Sequence, residues 1–337
     1  MPGNSDDANT VTTAVFSCRL QRTLQFVAKR YVPPAHGSAP DGVTLVCFHG
    51  SGSHKEVWEP VLERIFAAAS SAAATPARPL RIREAWTFDM QSHGASAQLN
   101  SHVLDGLEAG LPVDEYATAF KHFATTNLLR GHRLVGIGHS LGVTAVILSA
   151  VADEMPAVQY EHVIVIEPAL ASYECYQENP DDIMKDTARA TLKRRDTWKS
   201  RDDARAYLAA RLPWAMWDPR ARELYVRHGI KDVAGGVALC CSKVHEGAAY
   251  INYEQCFRAV DSLRSGIDPA VPVHWILGTR EDFLPQLAHD SVMCVRKIAS
   301  LQRVPDAGHF VVQENPDGLA NAIVQILTGA VGRRASL

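Results

Sequence analysis

Val135-Gly136-Ile137-Gly138-His139-Ser140-Leu141-Gly142-Val143 reads as strand, one-residue turn and helix. Leu134 to Ile137 form a short apolar run, and Val143 to Ala152 continue as an apolar helical stretch. Between them Gly138-His139-Ser140-Leu141-Gly142 has the G-x-S-x-G spacing of a nucleophile elbow, in which a strained strand-to-helix turn lifts a serine hydroxyl clear of the sheet edge. The glycines have a steric reason, since strand and helix approach too closely at such a turn for a side chain on either flank. Ser140 then sits at a helix N-terminus, where unpaired N–H groups favour developing negative charge. Gly136-Ile137-Gly138 could open a dinucleotide fingerprint, but Leu141 stands where its last glycine belongs and the motif comes late in the chain.

Outward from the elbow, strands alternate with helices. Val43 to Phe48 is an apolar run suited to a buried parallel strand, ending at His49-Gly50-Ser51-Gly52-Ser53, with helix expected around Val57 to Ala67. Ala85 to Phe88 is the next strand, ending at Asp89 and a compact turn through Ser96. Leu111 to Leu129 carries a helical stripe at Tyr116, Ala119, Phe120 and Phe123. After the elbow helix, His162 to Ile166 is a buried strand ending at Glu167-Pro168, and the pattern resumes at Val271 to Leu277 and Leu301 to Val304. Asn315 and Pro316 open a last helix with Leu319, Ala322, Ile323, Ile326 and Leu327 on its inner face, and Gly329 stops it. This alternation predicts an α/β fold with a mostly parallel central sheet flanked by helices. Ligand chemistry then belongs at the carboxyl ends of the strands, where Ser51, Asp89, Ser140 and Glu167 fall.

The domain organisation follows. Residues 1–40 form an N-terminal segment, loose through residue 12, with two antiparallel edge strands at Thr13–Leu20 and Leu24–Tyr31 and a turn-dense loop over Pro33–Gly42. The core covers 41–170 and 267–330, a helical cap is inserted at 171–266, and 331–337 is a tail. Within the cap, Ser200-Arg201-Asp202-Asp203 resembles a helix-capping box. Trp214, Met216 and Trp217 fit cap core better than pocket lining, and Lys193-Arg194-Arg195 fits a solvated helix face better than a seat for an anionic carrier.

Net charge is −3 with no strongly basic block, which gives a nucleic-acid partner no electrostatic support. No apolar run reaches the length of a membrane span, and the polar, acidic first residues do not fit a secretory signal. Seven cysteines without a C-x-x-C pair suit free thiols in a reducing compartment, so an intracellular, cytoplasmic setting is expected. Oligomeric state is not legible.

Gly138-His139-Ser140-Leu141-Gly142 and Gly308-His309-Phe310 resemble the α/β-hydrolase superfamily over about residues 13–330. The stretches His49-Gly50-Ser51-Gly52-Ser53-His54-Lys55-Glu56, Asp89-Met90-Gln91-Ser92-His93-Gly94-Ala95-Ser96 and Ile166-Glu167-Pro168 narrow the likeness to fungal hydrolases that include peroxisomal acyl-CoA hydrolases and toxin-biosynthesis proteins. The resemblance implies a serine hydrolase with no metal or organic cofactor, acting on a small-molecule ester, thioester or lactone through an acyl-enzyme. Ser140 is the implied nucleophile. His309, after the last strand, is the implied base in the Ser…acid…His order of this fold. The backbone N–H groups of Leu141 and Ser51, with Gly52 next, are the implied oxyanion donors. His139 reads as support for the turn. For the acid, Glu167 ends the strand after the elbow, and Glu281 occupies a later G-x-x-acid position with Asp282 beside it; the narrower resemblance favours Glu167. Epoxide or haloalkane hydrolysis in this fold looks to need a carboxylate where Ser140 stands. A catalytically silent hydrolase fold serving as a small-molecule receptor is the rival reading.

Two departures stand out. Members of the narrower group often end in a peroxisomal tripeptide, whereas this chain ends Ala335-Ser336-Leu337 with Ser336 at the basic position, which leaves peroxisomal delivery open. The segment from Ser140 to Glu167 is also a few residues longer than the group's usual spacing.

Overall fold

A computed structural model describes residues 10–19, 23–34, 38–71, 79–179 and 183–329. The expected loose segment over residues 1–9 and the tail at 331–337 lie outside them. Eleven described strands run in chain order: β1 (Thr10–Arg19), β2 (Thr23–Val32), β3 (Ser38–Phe48), β4 (Ile82–Phe88), β5 (Arg133–His139), β6 (Tyr160–Ile166), β7 (Thr197–Trp198), β8 (Ile230–Val233), β9 (Gly236–Leu239), β10 (Val273–Gly278) and β11 (Ser300–Val304). Eight of them form one sheet in the order β1-β2-β4-β3-β5-β6-β10-β11. β1 and β2 pair antiparallel at one edge, β2 meets β4 antiparallel, and every pairing from β4 to β11 is parallel. The α/β architecture with a mostly parallel sheet flanked by helices is therefore the observed one.

The sheet is buried on both faces, which is why its central strands are nearly continuous apolar runs. On one face the helix Leu141–Ser149 is buried at every residue, packed among Val163, Phe120 and Val260. On the other, the helices Glu59–Ser70 and Pro316–Thr328 close over Leu45, Ile137 and Ile276. The last helix begins as its sequence predicts: Asn315 accepts the Gly318 N–H at 2.8 Å, Pro316 follows, and Gly329 ends it at φ +66°.

Several boundaries differ from expectation. β1 takes in residues 10–12, read as loose, and β3 begins at Ser38 with an irregular register up to Val43, inside the stretch read as a loop. The helix expected over Leu111–Leu129 is confined to Asp114–Ala124, because the Thr125 and Thr126 hydroxyls turn back onto the His122 and Phe123 carbonyls.

The chain between β6 and β10 was expected to be helical. It also holds a three-stranded antiparallel sheet, β7-β9-β8. Gly235 and Gly236, at φ +79° and +157°, make the hairpin that joins β8 to β9. Trp198, Trp214, Trp217 and Tyr225 form this insertion's own core. Trp214 and Trp217 are buried there and Met216 is exposed, and none of the three lines the cavity beside Ser140.

Candidate active site

β5 delivers the elbow to the carboxyl edge of the sheet. Ser140 sits at φ +53°, ψ −118°, a conformation a non-glycine residue adopts only when its surroundings enforce it. Here the Ser140 N–H donates to the Ile166 carbonyl at 3.0 Å. A β-carbon on Gly138 would come within 2.6 Å of the Gly142 carbonyl oxygen, and one on Gly142 would strike the Phe48 carbonyl. Both flanking positions are therefore closed to side chains.

Three residues from distant parts of the chain meet at this edge. His309 Nε2 lies 3.0 Å from Ser140 Oγ, and its Nδ1 lies 3.5 Å from Glu167 Oε2, within ion-pair range but longer than an ordinary hydrogen bond. Glu167 has the strained φ of +43°, and its Oε1 accepts the Gly278 N–H at 2.7 Å. Burial pushes the Glu167 carboxyl up, but the His309 ring and the Gly278 N–H outweigh it and hold the group below its ordinary value. A carboxylate beside Nδ1 favours the ring proton there, leaving the Nε2 lone pair to accept from the Ser140 hydroxyl.

The other acidic candidates lie elsewhere. Glu281 is exposed. Asp282 accepts the backbone N–H of His309 at 2.8 Å, so it grips the loop rather than the ring. Glu314 accepts the neighbouring Gly308 N–H at 2.8 Å, and Arg280 joins the two carboxylates at 2.9 and 2.6 Å. A β-carbon on Gly308 would strike Asp282, which explains the glycine before the histidine. His139, buried behind the elbow, contacts the His309 carbonyl through Nε2 at 2.7 Å and so ties the two loops together.

Sequence reasoning passed over the scaffold of the 49–53 loop. The Gly52 N–H donates to His93 Nε2 at 3.0 Å, which places the ring proton on Nδ1, 3.0 Å from Ser92 Oγ. The Met90 N–H donates to His49 Nε2 at 3.2 Å, leaving His49 Nδ1 to donate to the Gly50 carbonyl at 2.8 Å. Asp89 accepts the Lys55 and Ala95 N–H groups at 2.8 and 2.9 Å and pairs with the buried Lys55 ammonium at 2.9 Å. Gly52, the second oxyanion candidate, is thus already engaged. Among the described residues the Ser51 and Leu141 N–H groups have no hydrogen-bond partner. Both residues border the same cavity as Ser140.

Burial holds several of these imidazoles neutral. His49 is lowered to about 4 by burial, against the pull of Asp89, and His139 to about 3 by burial and then by His309. The unfolded chain takes up these protons near 6.5, so between pH 6.5 and about 4 it binds more protons than the folded one. Stability is therefore expected to fall steadily as the pH drops through that window, measured as urea midpoints at half-unit pH steps.

A cavity of about 370 Å³ opens from Ser140, walled by Leu170, Tyr176, Tyr250, Phe257 and Leu284 among others. Arg194, expected on a solvated face, instead turns inward to Glu246, whose two oxygens it meets at 2.8 and 2.5 Å; Lys193 and Arg195 are exposed. Glu246 in turn backs Gly52, where a β-carbon would meet its carboxylate at 2.7 Å. Among the described residues no group of three or more His, Cys, Asp or Glu is placed to hold a metal ion, and no helix is long and apolar enough to cross a membrane.

Known proteins resemble this chain in sequence or in fold. A type I acyl-CoA thioesterase, MpaH of Penicillium brevicompactum, is 27% identical over 226 residues, covering 63% of this chain and 46% of that protein. An abhydrolase domain-containing protein of Alternaria alternata, AFT2-1, is 30% identical over 100 residues, covering 29% of this chain and 33% of that one. The chain spans less than half the length of the curated relatives it matches. The peroxisomal α/β-hydrolase Lpx1 of Saccharomyces cerevisiae superposes with a TM-score of 0.76 at 18% identity, over 98% of this chain and 91% of that one. The thioesterase domain of the curacin biosynthetic pathway does so at 0.63 and 13% identity, over 94% and 99%. The sequence profile of the alpha/beta hydrolase family matches residues 45–322, and the chain belongs to that family.

Proposed function

We propose that this chain is a serine hydrolase that cleaves a carboxylic ester, thioester or lactone through an acyl-enzyme. Ser140 Oγ attacks the carbonyl carbon while His309 Nε2 takes its proton. The imidazolium so formed is stabilised by Glu167 and then protonates the leaving group. Water, activated by the same imidazole, releases the acid and restores Ser140. The N–H groups of Leu141 and Ser51 receive the oxyanion, each worth about 10²–10³ in rate. The chain between β6 and β10 serves as the cap that closes the acyl site. The observation that carries this reading is the 3.0 Å approach of His309 Nε2 to a serine held at φ +53° on the wall of a cavity. Thioesters come first among the substrate classes because the MpaH relative is described as an acyl-CoA thioesterase. The peroxisomal neighbour makes the peroxisome a compartment to test, with Ala335-Ser336-Leu337 the segment to delete.

Incubation with a fluorophosphonate is expected to add one label per chain at Ser140, read by intact mass and peptide mapping, and Ser140→Ala is expected to take none. Folded protein that stays unlabelled would overturn the hydrolytic reading and favour the small-molecule receptor.

A further inference from the structure

The cavity that opens from Ser140 carries more information than its size. Its walls come from four places: the chain after β6 (Leu170, Tyr176), the helix from Ile183, the helices around Tyr250 and Phe257, and the turn after β10 (Leu284). Among the described residues, none that lines it is Asp, Glu, Lys, Arg or His. Of the neighbouring charged groups, Arg194 is matched to Glu246 and Arg280 to Asp282 and Glu314, while the Lys185 ammonium lies over the Tyr253 ring, 5.9 Å from its centre. What polarity the walls hold is neutral, such as the Thr144 hydroxyl and the Asn179 amide. An ion entering this space would lose its hydration and find no counter-charge among the described lining residues.

We propose that the cavity is an acyl-chain site selective for an uncharged, extended chain, with any charged carrier held outside it. At about 30 Å³ for each group the size of a water molecule, the 370 Å³ space takes a chain on the order of ten carbons. Each methylene that leaves water for such a wall favours binding by up to about fourfold. A carboxylate at the far end of the chain would be carried into an uncharged enclosure and rejected. Phosphates of a carrier such as coenzyme A find no cation among the described lining residues, so recognition inside the cavity rests on the acyl group and not on the carrier. Tyr250, Tyr253 and Phe257 line one side, and Leu284, Leu287 and Ala288 line another. Leu287 and Ile183 are partly exposed, at 50% and 37%, and mark the mouth. The inference rests on Ser140 being the nucleophile.

The test is a series of p-nitrophenyl esters from acetate to tetradecanoate, with decanoate set beside its ω-carboxylate. We expect kcat/KM to rise severalfold for every two carbons up to about C10 and then to level or fall. Decanoate should exceed its ω-carboxylate at least a hundredfold. Met184→Trp, at a half-buried wall position, and Ala249→Phe, deeper in, should move the optimum to shorter chains, with thermal unfolding of each variant reporting its fold. A flat series, equal use of the two C10 esters, or an optimum unmoved in both folded variants would overturn the acyl-site proposal. If acetate were still hydrolysed and Ser140 still labelled, the serine-hydrolase reading would survive that failure. Absence of both hydrolysis and label would overturn the two together.

Discussion

Ser140→Ala is expected to lower kcat on a p-nitrophenyl ester by about 10⁵–10⁶, and His309→Ala by nearly as much. The double variant should lose little more than either single one. That non-additivity follows from the geometry. A serine hydroxyl is a weak nucleophile until a base removes its proton, and the Nε2 atom 3.0 Å away is the base within reach. Remove the ring and the oxygen keeps its proton; remove the oxygen and the ring has nothing to activate. Both variants should retain the contribution of the Leu141 and Ser51 N–H groups, roughly 10³–10⁴ over water. The His309 carbonyl that meets His139 at 2.7 Å is backbone and survives His309→Ala, so the loop is expected to keep its place in that variant. Simple multiplication of the two losses would mean that the groups act independently, and Ser140 and His309 would not form one catalytic unit.

The elbow could be read directly because its constraints are local. A strand, a helix and two positions where no β-carbon fits lie within nine residues, and each leaves its own mark on composition. The last helix is legible for the same reason, with Asn315, Pro316 and Gly329 acting within their own turns. The insertion is less so. β7 has two residues and β8 and β9 four each, too short for an alternating pattern to rise above the surrounding helical sequence. Arg194 looks like part of a basic surface run, and only tertiary packing brings it to Glu246, 52 positions on. The support for the 49–53 loop is likewise a meeting of segments: His93 reaches Gly52 across 41 positions. The stretch from Asp89 to Ser96 was marked as a likeness, but nothing in it says that its carboxylate and imidazole brace a neighbouring loop.

The acid is where alternatives in the sequence acquire different physical jobs, and this sets the second large expected effect. Glu167→Gln should cost about 10³–10⁴ in kcat with little change in KM, since in the proposed triad the carboxylate orients the ring and offsets the imidazolium charge without touching substrate. Asp282→Asn should cost less than about tenfold, because the Asn oxygen can still accept the His309 N–H as a neutral hydrogen bond worth about 1 kcal/mol. Asp282→Ala leaves that N–H without its partner and Arg280 with Glu314 alone. It should lower the thermal midpoint and weaken kcat more than Asp282→Asn does, still short of the loss in Glu167→Gln. The ordering is what matters. Both carboxylates lie within reach of His309, but Glu167 faces ring Nδ1 at 3.5 Å and Asp282 faces the backbone at 2.8 Å. Only the first can respond to the charge that appears on the ring when Ser140 attacks. A greater loss in Asp282→Asn than in Glu167→Gln would transfer the acid's role to the strand after the insertion. Glu167 would then be a strand-end carboxylate whose work is to accept the Gly278 N–H and hold β6 to β10.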